Sequence, residues 1–262
     1  MTISISGPSL ARVDRNSPRY KFLRQAHQAI AAKDPMTWGP QAAQEAAIRL
    51  NWVDLPSTSL SLKDEVTELA RKFSDKNHVV LCGMGGSSLA PEVLSKTYQR
   101  PITIVDSTDP HYIAHALEGD LSKTVFVVSS KSGSTIETSS QRALFQQQVI
   151  DAGLNPVDHI LFVTDPGSPL DSETRAAGFS IINADPNVGG RFSALSAFGV
   201  VPAVLAGIDI WNVLADASTA KSDFLSNDET ILDVAYLFSE IAGQSIGFTD
   251  HGSDVPGISD WI

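Results

Sequence analysis

From residue 78 onward the apolar residues gather into short continuous runs closed by turn formers, over residues 78–82, 102–105, 124–128, 160–163 and 179–182. Runs that are apolar throughout, rather than alternating, suit strands covered on both faces. Between them, apolar positions recur at helical spacing over 89–98, 110–117, 137–151 and 170–177. Repeated strand, helix, strand order implies right-handed crossovers and neighbouring parallel strands. The pattern therefore predicts an α/β protein with a doubly wound parallel sheet. Residues 1–75 read differently: helical periodicity over 20–30, 42–50 and 62–73 is punctuated by Pro35, Pro40 and Pro56. This segment is expected to pack on the sheet unit as an N-terminal helical cover. After Arg191 the spacing turns helical again over 192–205, 210–220 and 230–242, followed by a strand-like piece at 245–249.

Composition narrows the function. The 262 residues are 42% hydrophobic and 19% charged, a globular balance. Thirty acidic against nineteen basic residues give a formal net charge of -11. Such a surface repels nucleic acid and anionic membranes, so neither is expected as a partner. An anionic ligand would have to be held by local devices: backbone N–H clusters, helix N-termini and a few placed cations. No run reaches the ~18 apolar residues of a membrane span, and the N-terminus lacks a basic-then-apolar leader pattern, so a cytoplasmic protein is expected. The single cysteine, Cys82, lies within an apolar run without a basic neighbour and reads as a buried hydrophobe rather than a reactive thiol.

In doubly wound sheets ligands collect beyond the carboxyl ends of the strands. Three loops there carry unusual chemistry. Gly83-Met84-Gly85-Gly86-Ser87-Ser88 follows the first strand and leads into a helix, where glycines let backbone N–H groups approach an anion. A dinucleotide fingerprint fails at its third glycine, which is Ser88, although Asp106 mimics the ribose-binding acid. The alternative is a tight turn with no ligand. Ser129-Ser130-Lys131-Ser132-Gly133-Ser134-Thr135 follows the third strand, and its hydroxyls, an exposed Lys131 and the coming helix N-terminus make an anion cradle. A capping box of Ser134 with Glu137 would explain one hydroxyl and leave Ser130, Lys131 and Ser132 without a purpose. Asn187-Val188-Gly189-Gly190-Arg191-Phe192-Ser193 places a permanent cation at an expected helix start, able to reach a ligand oxygen or a developing oxyanion; a surface salt bridge is its plainer reading. His78, His111, His115 and His159 show no metal-ligand spacing, so no metal or cofactor is expected, and Asp228-Glu229 reads as a solvated helix start.

Taken together, the three loops resemble the phosphoglucose isomerase family of the sugar isomerase (SIS) superfamily, in its bacterial form. Residues 83–91 match that family's G-x-G-G-S-x-L-x-P, residues 130–135 match S-x-S-G-x-T and continue into Glu137-Thr138, and residues 188–193 read V-G-G-R-F-S. The likeness runs from about residue 76 to the end. It implies a flavodoxin-like SIS sheet, with residues 1–75 as the helical segment, 76–225 as the sugar-phosphate-binding domain and 226–262 as the start of a second SIS domain. It also implies that Ser130, Lys131, Ser132 and Thr135 bind the phosphate of a hexose 6-phosphate, with the turn at Gly86-Ser87 closing the substrate pocket and the Gly190 amide backing Arg191. Arg191 would stabilise charge during proton transfer and Glu137 would support the site.

The activity so implied is glucose-6-phosphate isomerase, the interconversion of glucose 6-phosphate and fructose 6-phosphate through a cis-enediolate in glycolysis and gluconeogenesis, by a protein homodimeric when complete. Such chemistry needs ring opening and a carboxylate that shuttles a proton between C1 and C2. In the family these tasks fall to a glutamate in an E-S-x-G-K segment, a histidine from across a dimer interface and a lysine, and none of these motifs occurs in the sequence. The chain is thus expected to hold the phosphate-binding half of the enzyme. The alternative is a non-catalytic sugar-phosphate-binding SIS module. Amidotransferase-linked SIS enzymes fit less well, because they do not call for V-G-G-R-F-S.

Overall fold

The structure is a computed structural model that describes residues 5–226, 229–245, 247, 255–256 and 258–261. The N-terminal segment comprises α1 (Pro18–Ala31), α2 (Ala43–Arg49), the single turn α3 (Leu55–Thr58) and α4 (Lys63–Lys72). The sheet unit follows as β1 (His78–Gly83), α5 (Leu89–Tyr98), β2 (Thr103–Val105), α6 (Pro110–Ala116), β3 (Thr124–Ser129), α7 (Ile136–Asp151), β4 (Ile160–Thr164), α8 (Pro169–Ala176) and β5 (Ser180–Asn183). Helices α9 (Ala197–Leu205), α10 (Ile210–Leu225), α11 (Glu229–Glu240) and the short α12 (Ile258–Trp261) complete it. Several helices begin on the same local chemistry. Ser17, Asp109 and Ser168 each accept a backbone N–H of the first turn, and each is followed by a proline whose fixed φ suits the first helical position.

The sheet has the order β2-β1-β3-β4-β5 and every pairing is parallel, as the continuous apolar runs require. Alternation within each run serves two covers. Val79, Leu81, Val125, Val127, Leu161 and Val163 face a core completed by α4, α9 and α10, with Val66, Leu69, Val200, Val201 and Leu214 among its members. Val80, Cys82, Phe126, Val128, Ile160 and Phe162 face the opposite side, against Phe145 and Val149 of α7 and Leu170 of α8. Cys82 is completely buried, and burial pushes its thiol pKa far up, which leaves it inert.

Two boundaries differ from the sequence pattern. The helix expected over 192–205 begins at Ala197, and Arg191 lies instead in a 3-10 turn, Gly190–Phe192. A side chain at Gly199 would overlap the carbonyl of Ala194, so the chain folds tightly over residues 193–196 before Ser196 caps α9. The helix expected over 210–220 continues to Leu225. The strand-like piece at 245–249 lies outside the described residues apart from Ser245 and Gly247.

Polar ties join the N-terminal segment to the C-terminal helices. Arg15 grips Asp233 with two hydrogen bonds of 3.1 and 2.7 Å and also pairs with Glu229, the exposed residue that begins α11. The Tyr20 hydroxyl donates to Asp233 at 3.0 Å. Asp54 receives Lys33, just beyond the end of α1, at 2.6 Å and Lys221 of α10 at 2.7 Å. Hydrogen bonds from Lys221 and Lys33 hold the Asp54 carboxyl below the usual carboxylate range.

A group with a depressed folded pKa adds stability above its unfolded pKa and loses it as pH falls through the folded value. Asp54→Asn is therefore expected to lower stability by about 1 kcal/mol at neutral pH, the scale of partly exposed ion pairs. Thermal unfolding of both proteins should show the gap narrowing as the pH is taken from about 6 to about 3; a gap of constant size would contradict this account.

Candidate functional site

The strand order places a topological switch point between β1 and β3. The chain leaves β1 for β2 on one side, whereas β3 pairs with β1 on the other, with Gly83 opposite Ser129. Loops diverge there and leave a crevice at the carboxyl edge of the sheet. A cavity of about 120 Å³ occupies it, lined by all three loops singled out in the sequence.

The first loop turns through a 3-10 segment, Gly85–Ser87, with Gly85 at φ +60°. Ser88, the residue that breaks the dinucleotide fingerprint, is fully buried and its Oγ closes the turn on the Gly85 carbonyl at 3.0 Å. Ser87 Oγ donates to Met84 O at 3.1 Å. Gly86 lies against the third loop: a Cβ there would sit 2.8 Å from Arg191 N and would overlap the carbonyl of Gly190. Ser193 Oγ fastens the same junction, donating to Gly190 O at 2.6 Å and to Gly86 O at 3.3 Å.

The second loop is stitched to β4. Ser130 N–H donates to Val163 O at 3.0 Å, and Thr164 Oγ1 and Asp165 N–H both donate to Lys131 O at 3.2 Å. Ser130 Oγ accepts Gly133 N–H at 3.1 Å, while Ser132 and Ser134 share a hydrogen bond of 2.7 Å. Gly133 has φ +73°, and a Cβ there would drive into Leu170. The capping alternative for this loop does not hold. The N-cap of α7 is Thr135 rather than Ser134, and no side chain caps it. Among the described residues the N–H groups of Ile136, Glu137 and Thr138 find no acceptor, so a sixteen-residue helix presents free donors and its positive dipole end beside the cavity. Ser129 Oγ, 1% exposed and lining the same cavity, is buried without a partner.

Lys131 departs from the exposed lysine expected of the loop. It is half-buried, with Nζ 2.7 Å from Asp165 Oδ2 and 3.0 Å from Pro186 O, and it borders the cavity. Arg191 is exposed, and among the described residues its guanidinium has neither an ion pair nor a hydrogen bond, against the surface salt-bridge reading. It lines a second, wider hollow of about 560 Å³ with Trp38, Trp52, Phe192, Glu45 and Arg49. Lys131 and Gly190 border both spaces.

The N-terminal segment fixes the third loop. Leu50 forms an antiparallel bridge with Val188, Arg49 Nη1 donates to Pro186 O at 2.8 Å, Asn51 Nδ2 donates to Asp185 at 2.8 Å, and Trp52 stacks on Phe192 at 5.2 Å.

Of the residues named from sequence, Gly86, Ser87, Ser130, Lys131, Ser132, Thr135 and Gly190 line the smaller cavity, and Arg191 lines the larger one. Glu137 lines neither; it stands in the first turn of α7, where the dipole favours a carboxylate. Ser129, Thr138 and Ser193 also line the smaller cavity and lie outside the set of site residues that the sequence predicts. Thr138 sits inside the quoted Glu137-Thr138 motif, and Ser129 is the polar last residue of an apolar strand. A polar residue closing an apolar strand marks a carboxyl-edge position that faces a ligand crevice. Among the described residues no group of His, Cys, Asp and Glu is arranged to hold a metal ion.

Fold and site together define an α/β protein of flavodoxin-like strand order with a hydroxyl- and amide-lined cavity at its switch point. Residues 69–232 match the family model for phosphoglucose isomerase, and the chain belongs to that family. It is 32% identical over 224 residues to the glucose-6-phosphate isomerase of Campylobacter jejuni, covering 81% of this chain and 54% of that protein. It is 35% identical over 186 residues to the glucose-6-phosphate isomerase of a Cyanothece species, covering 66% and 35%. Among solved structures, a hypothetical protein from Thermus thermophilus matches with TM-score 0.69 and 27% identity over 89% of this chain and 53% of its own. A glucose-6-phosphate isomerase from Chlamydia trachomatis shares the fold, with TM-score 0.55 and 24% identity over 86% and 47%. The chain spans about half the length of the Campylobacter relative and about a third of the Cyanothece one.

The Gly86 contact is open to direct test. Gly86→Ala must push the first loop off Gly190 or deform both, an overpacking expected to cost about 1–3 kcal/mol. Thermal unfolding should report that loss. Gly190→Ala meets open space and should leave the melting temperature almost unchanged.

Proposed function

We propose that the chain binds the phosphate of a hexose 6-phosphate in the 120 Å³ cavity and serves as the phosphate-binding part of a glucose-6-phosphate isomerase. The observation that carries this reading is the uncapped N-terminus of α7 beside the unpartnered hydroxyl of Ser129, in a cavity rimmed by Ser87, Ser130, Ser132 and Thr135. Free amide donors at a helix N-terminus suit a phosphate dianion, and hydroxyls saturate its remaining oxygens. Lys131 supplies the cation. Family membership and relatives named glucose-6-phosphate isomerase support the choice of ligand.

In this reading the phosphate anchors the ligand, and its carbon chain leaves the cavity past Gly190 toward Arg191. A guanidinium that stays charged and is free of a carboxylate can stabilise the negative charge of an enediolate. Proton shuttling needs a carboxylate near the reacting carbons. Among the described residues no carboxylate lines the phosphate cavity, and Glu45 of the adjoining hollow is tied to Arg49 at 2.8 Å. Glu137 is assigned a supporting role at the helix start. The chain by itself is therefore expected to bind the phosphosugar and to isomerise it slowly. The same observation favours the second reading, a sugar-phosphate-binding module without catalysis.

Calorimetric titration should show glucose 6-phosphate binding well above glucose; equal affinity would remove the cradle. Lys131→Ala should weaken binding at least tenfold, since hydrogen bonds to charged groups are worth about 1.5–3 kcal/mol. In a coupled assay the 262-residue chain should turn over far below a full-length isomerase. Arg191→Ala should spare phosphate affinity and abolish the residual turnover. Turnover near that of a full-length isomerase would refute the slow-turnover expectation, and none at all, with binding intact, would favour the module.

A further inference from the structure

Beyond β4 the chain passes directly under the phosphate loop, and Asp165 meets Lys131 there in two ways. Its N–H donates to the Lys131 carbonyl at 3.2 Å, and its Oδ2 lies 2.7 Å from Lys131 Nζ. Pro186 O accepts a hydrogen bond from the same ammonium at 3.0 Å, and Arg49 Nη1 from α2 donates to that carbonyl as well. An ammonium carries three N–H donors. One is committed to Pro186 O and the Asp165 carboxylate draws the ammonium to the same side, both outside the cavity, which leaves donor capacity for an oxygen inside it.

Asp165 has no evident packing reason to be charged. Its Oδ1 is buried without a hydrogen-bond partner, a costly arrangement that native structures keep sparingly. Its charge also stands next to a cradle meant for an anion, where it repels the ligand at longer range. Both disadvantages are offset if the carboxylate fixes the lysine. Lysine is a point charge on a flexible stem, and an unrestrained ammonium at the mouth between the two hollows would spend much of its time in solvent. Preorganisation of that charge lowers the ordering cost when a ligand arrives.

We propose that Asp165 is a positioning residue for the phosphate site: its charge holds the Lys131 ammonium, together with Pro186 O, so that a free N–H of the ammonium faces the phosphate ester. This role rests on the phosphate-binding reading and adds a residue from a fourth loop to it. Asp165 acts only through Lys131, so its effect must vanish when the lysine is gone.

The test is a double-mutant cycle on the full chain, read by calorimetric titration with glucose 6-phosphate and accompanied by thermal unfolding of each variant. Asp165→Asn keeps the shape and removes the charge; affinity is expected to fall about tenfold, with the preference over glucose reduced. In a Lys131→Met background the same substitution should change affinity less than about twofold. Asp165→Glu, which keeps the charge but displaces it, should lie between Asp165→Asn and wild type. Affinity equal to or above wild type in Asp165→Asn would mean that repulsion dominates and would overturn the proposal. So would an equal loss in both backgrounds, the mark of a purely structural residue. A wild-type protein that binds glucose and glucose 6-phosphate equally removes the cradle and this role with it; one that discriminates, with Asp165→Asn unchanged, removes this role alone.

Discussion

The backbone of Gly86 lies against the carbonyl of Gly190 so closely that no side chain fits between them. This contact joins the loop after β1 to the loop after β5, which are separated by about a hundred residues of chain and by two intervening strands of the sheet. With it, the donors of α7, the hydroxyls of the second loop and the turn of the first face one small space. The third loop is in turn held by the N-terminal segment through Leu50, Arg49, Asn51 and Trp52. The helices before the sheet therefore help to shape the wall of the cavity, and loosening them should be felt at the site.

The electrostatics follow the same economy. A chain with a formal net charge of -11 has no broad positive field to draw in a phosphate. The cradle is made of dipoles: amide N–H groups, a helix end and hydroxyls, with Lys131 as its cation. That cation is itself matched by Asp165, and the unpaired Arg191 stands one hollow away. Dipolar donors act over a few ångströms, which makes them selective for an anion already seated. In the proposed reading anchoring falls to the smaller cavity and charge stabilisation to Arg191, an arrangement suited to a ligand whose phosphate and reacting carbons lie at opposite ends.

The sheet and most of its helices could be read from neighbouring residues. Continuous apolar runs fall on the five strands because both faces are covered, and proline-led starts at Pro18, Pro110 and Pro169 fall on helices because capping is a matter of two or three adjacent residues. The glycine and hydroxyl loops were equally visible, since they interrupt a periodic pattern. What neighbours could not decide was each case in which distant segments compete for the same group. Periodicity carries the helix before α10 back to residue 192, yet the close packing of Gly199 on Ala194 delays it to Ala197. Ser134 and Glu137 have the spacing of a capping box, yet Ser134 bonds Ser132 and the helix begins on an uncapped Thr135.

The sequence by itself determined the parallel α/β plan, the three loops and their order, because hydrophobic period, turn chemistry and capping act over a few residues. Only the packing of distant segments decides that Asp165 lies beside Lys131, that Gly86 abuts Gly190, and that Glu137 stands outside the cavity it neighbours in the chain. Those outcomes depend on which loops the strand order brings together and on how closely backbones approach. Neither quantity is written in any short stretch of residues.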